Sequence, residues 1–218
     1  MSKSLFFSPD ELKRIEESVK NAESKISGEI VPVFVARSHP YGQAALRAGI
    51  LAASLAAMLW LPLYEFDMQW GGHWFYTPVA LVLLAALAFM AAFFAATYIS
   101  AFRRLFVSKS ELTRAVDEAA HLAFLKQEVF LTRHRTGILI FISLFEHRVE
   151  VLGDVGIAAK VSPDEWKHIV QTIVNGLKNN RRTEGICQAI GEAQQLLLKN
   201  GFVIEPDDTN ELPDNLRL

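Results

Sequence analysis

Ala44–Leu63 reads AALRAGILAASLAAMLWLPL, and Pro78–Phe102 reads PVALVLLAALAFMAAFFAATYISAF. A helix rises about 1.5 Å per residue and a bilayer core is roughly 30 Å thick, so about 20 apolar residues span it. Both runs reach that length. The stretch between them, Tyr64–Thr77, is short and rich in aromatic residues. The pattern predicts a helical hairpin that crosses a membrane twice, its loop at residues 64–77.

The rest of the chain has a different composition. Of the 218 residues, 51% are hydrophobic and 21% charged, but residues 44–102 hold one cation, Arg47, and two acids, Glu65 and Asp67. The remainder is ordinary for a soluble domain. Its roughly 160 residues suffice for one compact unit. A net charge of −2 makes no electrostatic case for nucleic acid. A single cysteine, Cys187, excludes an internal disulfide framework and reads as core filler.

Charge near the runs sets the expected sidedness. Arg37 and Arg47 stand before or at the start of the first run, and Arg103, Arg104, Lys109 and Arg114 follow the second. The connecting loop has no Lys or Arg and carries Trp70, Trp74 and Tyr76, which favour the headgroup level. Met1–Phe7 does not read as a signal peptide. The expectation is a multi-pass membrane protein with both termini cytoplasmic. Small residues on both runs (Ala52, Ala53, Ser54, Ala56; Ala85, Ala88, Ala92, Ala95) favour close helix packing or self-association.

Outside the hairpin, the pattern alternates helix and strand. Ser8-Pro9-Asp10-Glu11 has the form of a capping box, and Leu12, Ile15, Val19, Ala22 and Ile26 recur at helical spacing behind it. Glu29–Ala36, EIVPVFVA, is a β-branched run apolar on both faces, and Pro32 marks it as either an edge strand or a locally irregular one. Ser108–Glu111 and Ser162–Glu165 predict two further helix starts. Between them, Gly137–Leu144 reads as a buried strand and His147–Leu152 as an alternating one. A last helix carries Ile186, Ile190, Ala193 and Leu197 and stops near Gly201; residues 205–218 read as a flexible acidic tail. One helix and one strand make no core, so Glu29–Ala36 must pair with the strands beyond residue 136. The predicted organisation is a discontinuous domain, residues 1–43 and 103–204, interrupted by a hairpin at 44–102.

Three stretches together resemble the TPM-domain family. These are ELKRIEESVKNAESKISGEIVPVFVARS (11–38), RTGILIFISLFEHRVEVLGDVGIAAKVSPDEW (135–166) and NGLKNNRRTEGICQAIGEAQQLL (175–197). They cover most of the non-hairpin residues, and the hairpin inside the domain resembles a bacterial membrane subgroup. The resemblance implies a three-layer α/β/α sandwich with a small mixed sheet. It also implies association with membrane-protein assembly, repair or regulation, and in some members weak acid phosphatase activity or divalent-metal binding. Many members place an acidic residue and Asn before the central strand, where this chain has Arg135-Thr136.

From the residues themselves, Glu29 at the mouth of the first strand and Asp154 at the end of the third are candidate oxygen ligands for Mg²⁺ or Ca²⁺. Either could equally be a cap or a solvated carboxylate. Arg103, Arg104, Arg133 and Arg135 are candidates for an anion or a lipid headgroup, or form a solvated basic rim. The histidines lack zinc-ligand spacing, and no nucleophile elbow, P-loop or dinucleotide fingerprint occurs. Three functions stay open: an accessory binding protein for other membrane proteins or lipid, a weak metal-dependent phosphatase, and a structural membrane scaffold.

Overall fold

In the computed structural model, which describes residues 6–70, 77–204 and 211–217, the chain divides into two compact units. One comprises Met1–His39 with Thr113–Leu218; the other is Pro40–Leu112.

The first unit opens with α1 (Pro9–Glu23). Its capping box is complete: Glu11 N–H donates to Ser8 Oγ at 3.2 Å, and Ser8 N–H donates to Glu11 Oε2 at 2.7 Å. Three strands follow, β1 (Glu29–Val35), β2 (Gly137–Ser143) and β3 (Arg148–Gly153), in the order β1-β2-β3. β1 pairs parallel with β2 from Glu29↔Gly137 to Val35↔Ser143, and β2 pairs antiparallel with β3. The strand that precedes the hairpin is thus completed by strands that follow it. Gly137 is required at the start of β2, because a Cβ there would overlap the Val129 carbonyl oxygen.

The pleat sends alternate residues to two cores. Ile30, Phe34, Ile138, Ile140 and Ile142 are buried with Ile15 and Val19 of α1, with Ile169 and Ile173 of α7 (Lys167–Lys178), and with Ile186, Ile190 and Leu197 of α8 (Arg182–Lys199). Val31, Val33, Leu139 and Phe141 face the other way, onto Val116 and Ala120 of α5 (Lys109–Lys126). Helices on both faces of a small mixed sheet make the α/β/α sandwich that the apolar strands predict. A four-residue turn, α6 (Val155–Ala158), follows β3.

Two local expectations differ. Ser162–Glu165 is a turn rather than a helix start: Glu165 N–H donates to Ser162 O and Lys167 N–H to Asp164 O, three-residue bonds that delay α7 to Lys167. The tail, read as flexible, is docked over its described part. Arg217 N–H donates to Pro32 O at 3.0 Å, Phe34 N–H donates to Arg217 O at 2.8 Å, and Leu212 and Leu216 are buried, one in each core. The two leucines give the segment apolar anchors that its polar composition conceals. Residues 205–210 and 218 lie outside the described residues.

The second unit holds α2 (Gly42–Trp70), α3 (Pro78–Tyr98) and α4 (Ser100–Arg104). α2 and α3 contain the two segments long and apolar enough to cross a membrane, Gly42–Leu63 and Pro78–Tyr98. α2 continues seven residues past the expected Leu63, because no Gly or Pro interrupts residues 64–70. Residues 71–76 of the expected loop lie outside the described residues. α3 stops at Tyr98, short of the expected Phe102, where Ile99 turns extended (φ −103°, ψ 103°). Arg103 replaces the missing donors there: its Nε–H donates to Ala96 O at 2.7 Å and its Nη2–H to Thr97 O. Close helix contact rests on Ala45, Ala48 and Ala96, and on Gly49 under the Phe89 ring. Met58, Leu59, Leu83 and Leu87 turn outward, each about two-thirds exposed. Arg47, near the start of α2, donates to both Glu111 oxygens at 2.7 and 2.9 Å and to Phe106 O at 3.2 Å. That guanidinium holds the Glu111 carboxyl down to about 2, with the Ser108 N–H contributing.

Candidate functional site

β1 and β2 begin at the sheet end where the antiparallel β3 finishes. Glu29, Thr136, Arg135 and Asp154 therefore gather at one edge of the sandwich. Asp154 N–H donates to Gly137 O at 2.9 Å, which ties the loop after β3 to the start of β2.

Asp154 is the most constrained carboxylate there. Arg135 Nε–H donates to its Oδ2 at 2.5 Å and Nη2–H to its Oδ1 at 2.8 Å, a two-pronged ion pair. Oδ1 also accepts Val155 N–H at 2.7 Å and caps α6. The Asp154 side chain is 3% exposed and that of Arg135 is 51% exposed, so the pair closes from the solvent side. The aspartate raises the arginine's pKa in return. Arg135 occupies the left-handed region at φ 55°, held by its N–H to Thr132 O and by its carbonyl, which accepts Gly156 N–H.

Glu29 is buried, 7% exposed, on the other side of β2. Its Oε1 accepts Glu211 N–H at 3.0 Å, and its Oε2 is buried without a hydrogen-bond partner among the described residues. Glu23, at the end of α1, accepts Ile30 N–H at 2.7 Å with Oε1, and its Oε2 is likewise buried and unpartnered among the described residues. Burial, and then the charges of Glu29 and Asp214, push Glu23 up to about 9. Burial also raises Glu29, against the N–H groups of Glu211 and Leu212 that lower it. At neutral pH Glu23 therefore holds a proton. The arrangement is an acidic cluster of buried Glu29 and half-buried Glu23, completed by half-buried Asp214 of the docked tail.

The two expected metal ligands stand on either side of Gly137 at one end of the sheet, Glu29 on β1 and Asp154 just past β3. Asp154 spends both oxygens on Arg135 and on its own cap. Glu29 gives Oε1 to the Glu211 N–H, and no group of three or more His, Cys, Asp or Glu among the described residues is arranged to hold a metal ion. The four expected anion-site arginines also divide. Arg103 and Arg104 belong to the hairpin unit, where Arg103 caps α3. Arg133 and Arg135 belong to the sandwich, where Arg135 is committed to Asp154 and the Arg133 N–H donates to the Glu211 carboxylate at 3.0 Å.

Sequence reasoning misses Glu23 and Asp214. A signal for Glu23 existed: it lies four residues after Val19 of the buried stripe, so helical spacing places it at the stripe's edge. Asp214 carries no such signal inside a polar, proline-flanked segment.

The fold defines a mixed α/β protein with an apolar helical pair inserted between two parts of its sandwich. The NMR structure of the BA42 protein from the psychrophilic bacterium Bizionia argentinensis sp. nov. is similar, with a TM-score of 0.60 at 18% identity over 99% of this chain and 97% of that one. At that identity the likeness is one of fold. Neither a family profile nor a curated protein matches the sequence.

Proposed function

We propose that this chain is an integral protein of a bacterial inner membrane. Its two apolar helices cross the bilayer, both termini are cytoplasmic, and its TPM-like sandwich serves as an accessory binding module in the assembly, repair or regulation of other membrane proteins. The membrane part is supported by large side chains such as Met58, Leu59, Leu83 and Leu87 turned outward from the helical pair, which lipid would cover. The accessory role is supported by one observation above the others. Where the family resemblance implies an acidic residue, Arg135 is bound to Asp154 through both carboxylate oxygens. An internal guanidinium supplies the positive charge that a metal would otherwise bring.

A weak metal-dependent phosphatase is the rival, and the unpartnered Oε2 atoms of Glu23 and Glu29 favour it, since hard cations seek such oxygens. The two separate in a phosphoester assay of the full chain in detergent with Mg²⁺ or Ca²⁺. The accessory role gives no turnover above the protein-free rate. Metal-dependent turnover that Glu29→Gln removes would establish the phosphatase instead. A photo-crosslinker placed at exposed sandwich positions in intact cells should capture a discrete membrane protein.

A further inference from the structure

A cavity of about 240 Å³ lies between β1 and α5, within the sandwich unit. Val35, Phe141 and Ala123 are among the apolar residues of its wall; Arg37, Lys126 and Arg217 bring three cations to it, and no Asp or Glu lines it. Arg217 is half-buried, and its Nη1 donates to Gln127 O at 3.1 Å and Gln127 Oε1 at 2.6 Å, both neutral acceptors. Burial lowers its pKa. Among the described residues, no carboxylate forms an ion pair with Arg37, Lys126 or Arg217. Glu146 accepts the N–H of the lining residue Ser38 at 2.9 Å and the Ser143 hydroxyl. A guanidinium taken out of water without a counter-charge is costly. The cavity therefore has an apolar wall and three cations that no carboxylate among the described residues pairs with.

We propose that this cavity binds a small soluble organic phosphate, with its apolar body against Val35, Phe141 and Ala123 and its head among Arg37, Lys126 and Arg217. Arginine forks match phosphate oxygens in pairs, and three cations suit a dianion better than a single carboxylate. A water molecule takes about 30 Å³ of liquid, so the space suits a body on the order of ten non-hydrogen atoms. Because Arg217 belongs to the docked tail, the ligand and the tail must stabilise each other. This site is independent of the membrane and accessory roles.

Phenylphosphonate, which cannot be hydrolysed as an ester, is the probe, and the full chain in phosphatidylcholine nanodiscs is the sample. Saturable binding is expected by calorimetry, with inorganic phosphate about tenfold weaker for want of the ring. Benzyl alcohol should be weaker by a similar factor, for want of charge. Arg37→Gln and Lys126→Gln, both at exposed positions, should each weaken binding about threefold without moving the melting temperature. Bound probe should slow hydrogen exchange at the Phe34 and Arg217 amides, which join the tail to β1. Equal binding of benzyl alcohol, no saturation by about 1 mM, or unchanged affinity in the Arg37→Gln/Lys126→Gln double variant would overturn the site. Competition by phosphatidylglycerol added to the nanodisc would overturn the soluble ligand in favour of a lipid headgroup.

Discussion

At the scale of single residues, Glu23 and Arg135 give the sharpest expectations. The folded Glu23 carboxyl titrates near 9 and the unfolded one near 4.5. A raised carboxyl keeps its proton in the fold over the range where the unfolded chain has lost it. Its stabilising contribution is complete below about pH 4.5 and fades as pH rises toward 9. One proton gives a slope of at most about 1.4 kcal/mol per pH unit. Glu23→Gln should flatten much of the fall in stability between pH 5 and 9 in denaturant titrations, leaving the part due to Glu29. An unchanged profile would show that the cluster is not protonated. Arg135→Ala leaves the buried Asp154 carboxylate facing only its own cap, and should lower the denaturant midpoint in the same titrations. Arg135→Lys restores charge but not the fork and should recover only part. The acids were visible as residues, and Glu29 was singled out by its place at a strand mouth. Their convergence was not visible, because it depends on where the tail docks, and two leucines among prolines and acids carry no periodic signal.

At the scale of elements, the tail and the helical pair can each be tested by one change. Residues 211–217 cover the free edge of β1, where Pro32 has no N–H and Glu23 already occupies the Ile30 N–H. Leu216→Ala removes a buried anchor (3% exposed) and should cost about 2–3 kcal/mol, with faster hydrogen exchange at Phe34. Exchange no faster than in the parent would mean that the tail does not guard this edge. In the other unit, a Cβ on Gly49 would meet the Phe89 ring at 2.7 Å. Gly49→Leu should lower thermal stability in detergent by about 1–3 kcal/mol, and Phe89→Ala in the same chain should restore part of it. Helix and strand types followed from spacing in nearly every segment, since stripes and capping boxes act locally. The ends of α2, α3 and α7 departed from expectation for reasons equally local: no breaker after Leu63, an arginine able to cap α3 early, and a turn that closes on itself at Ser162.

At the scale of the molecule, the chain folds one sandwich from segments on either side of Pro40–Leu112, the unit that holds the apolar pair. That organisation was legible because β1 on its own has no partner and the later strands lack one edge. Parallel pairing of Glu29 with Gly137 is the physical answer to both. What the sandwich recognises was not legible: strand and helix patterns report burial, whereas the acidic cluster and the three-cation cavity are assembled by tertiary contacts. The most direct measurement is compartment-specific labelling in intact cells with a membrane-impermeant maleimide, in a Cys187→Ser background. With lipid around the two helices and the sandwich inside, His73→Cys should label from outside, and Asn200→Cys should label only after the membrane is opened. Labelling of both positions from the same side would contradict the account.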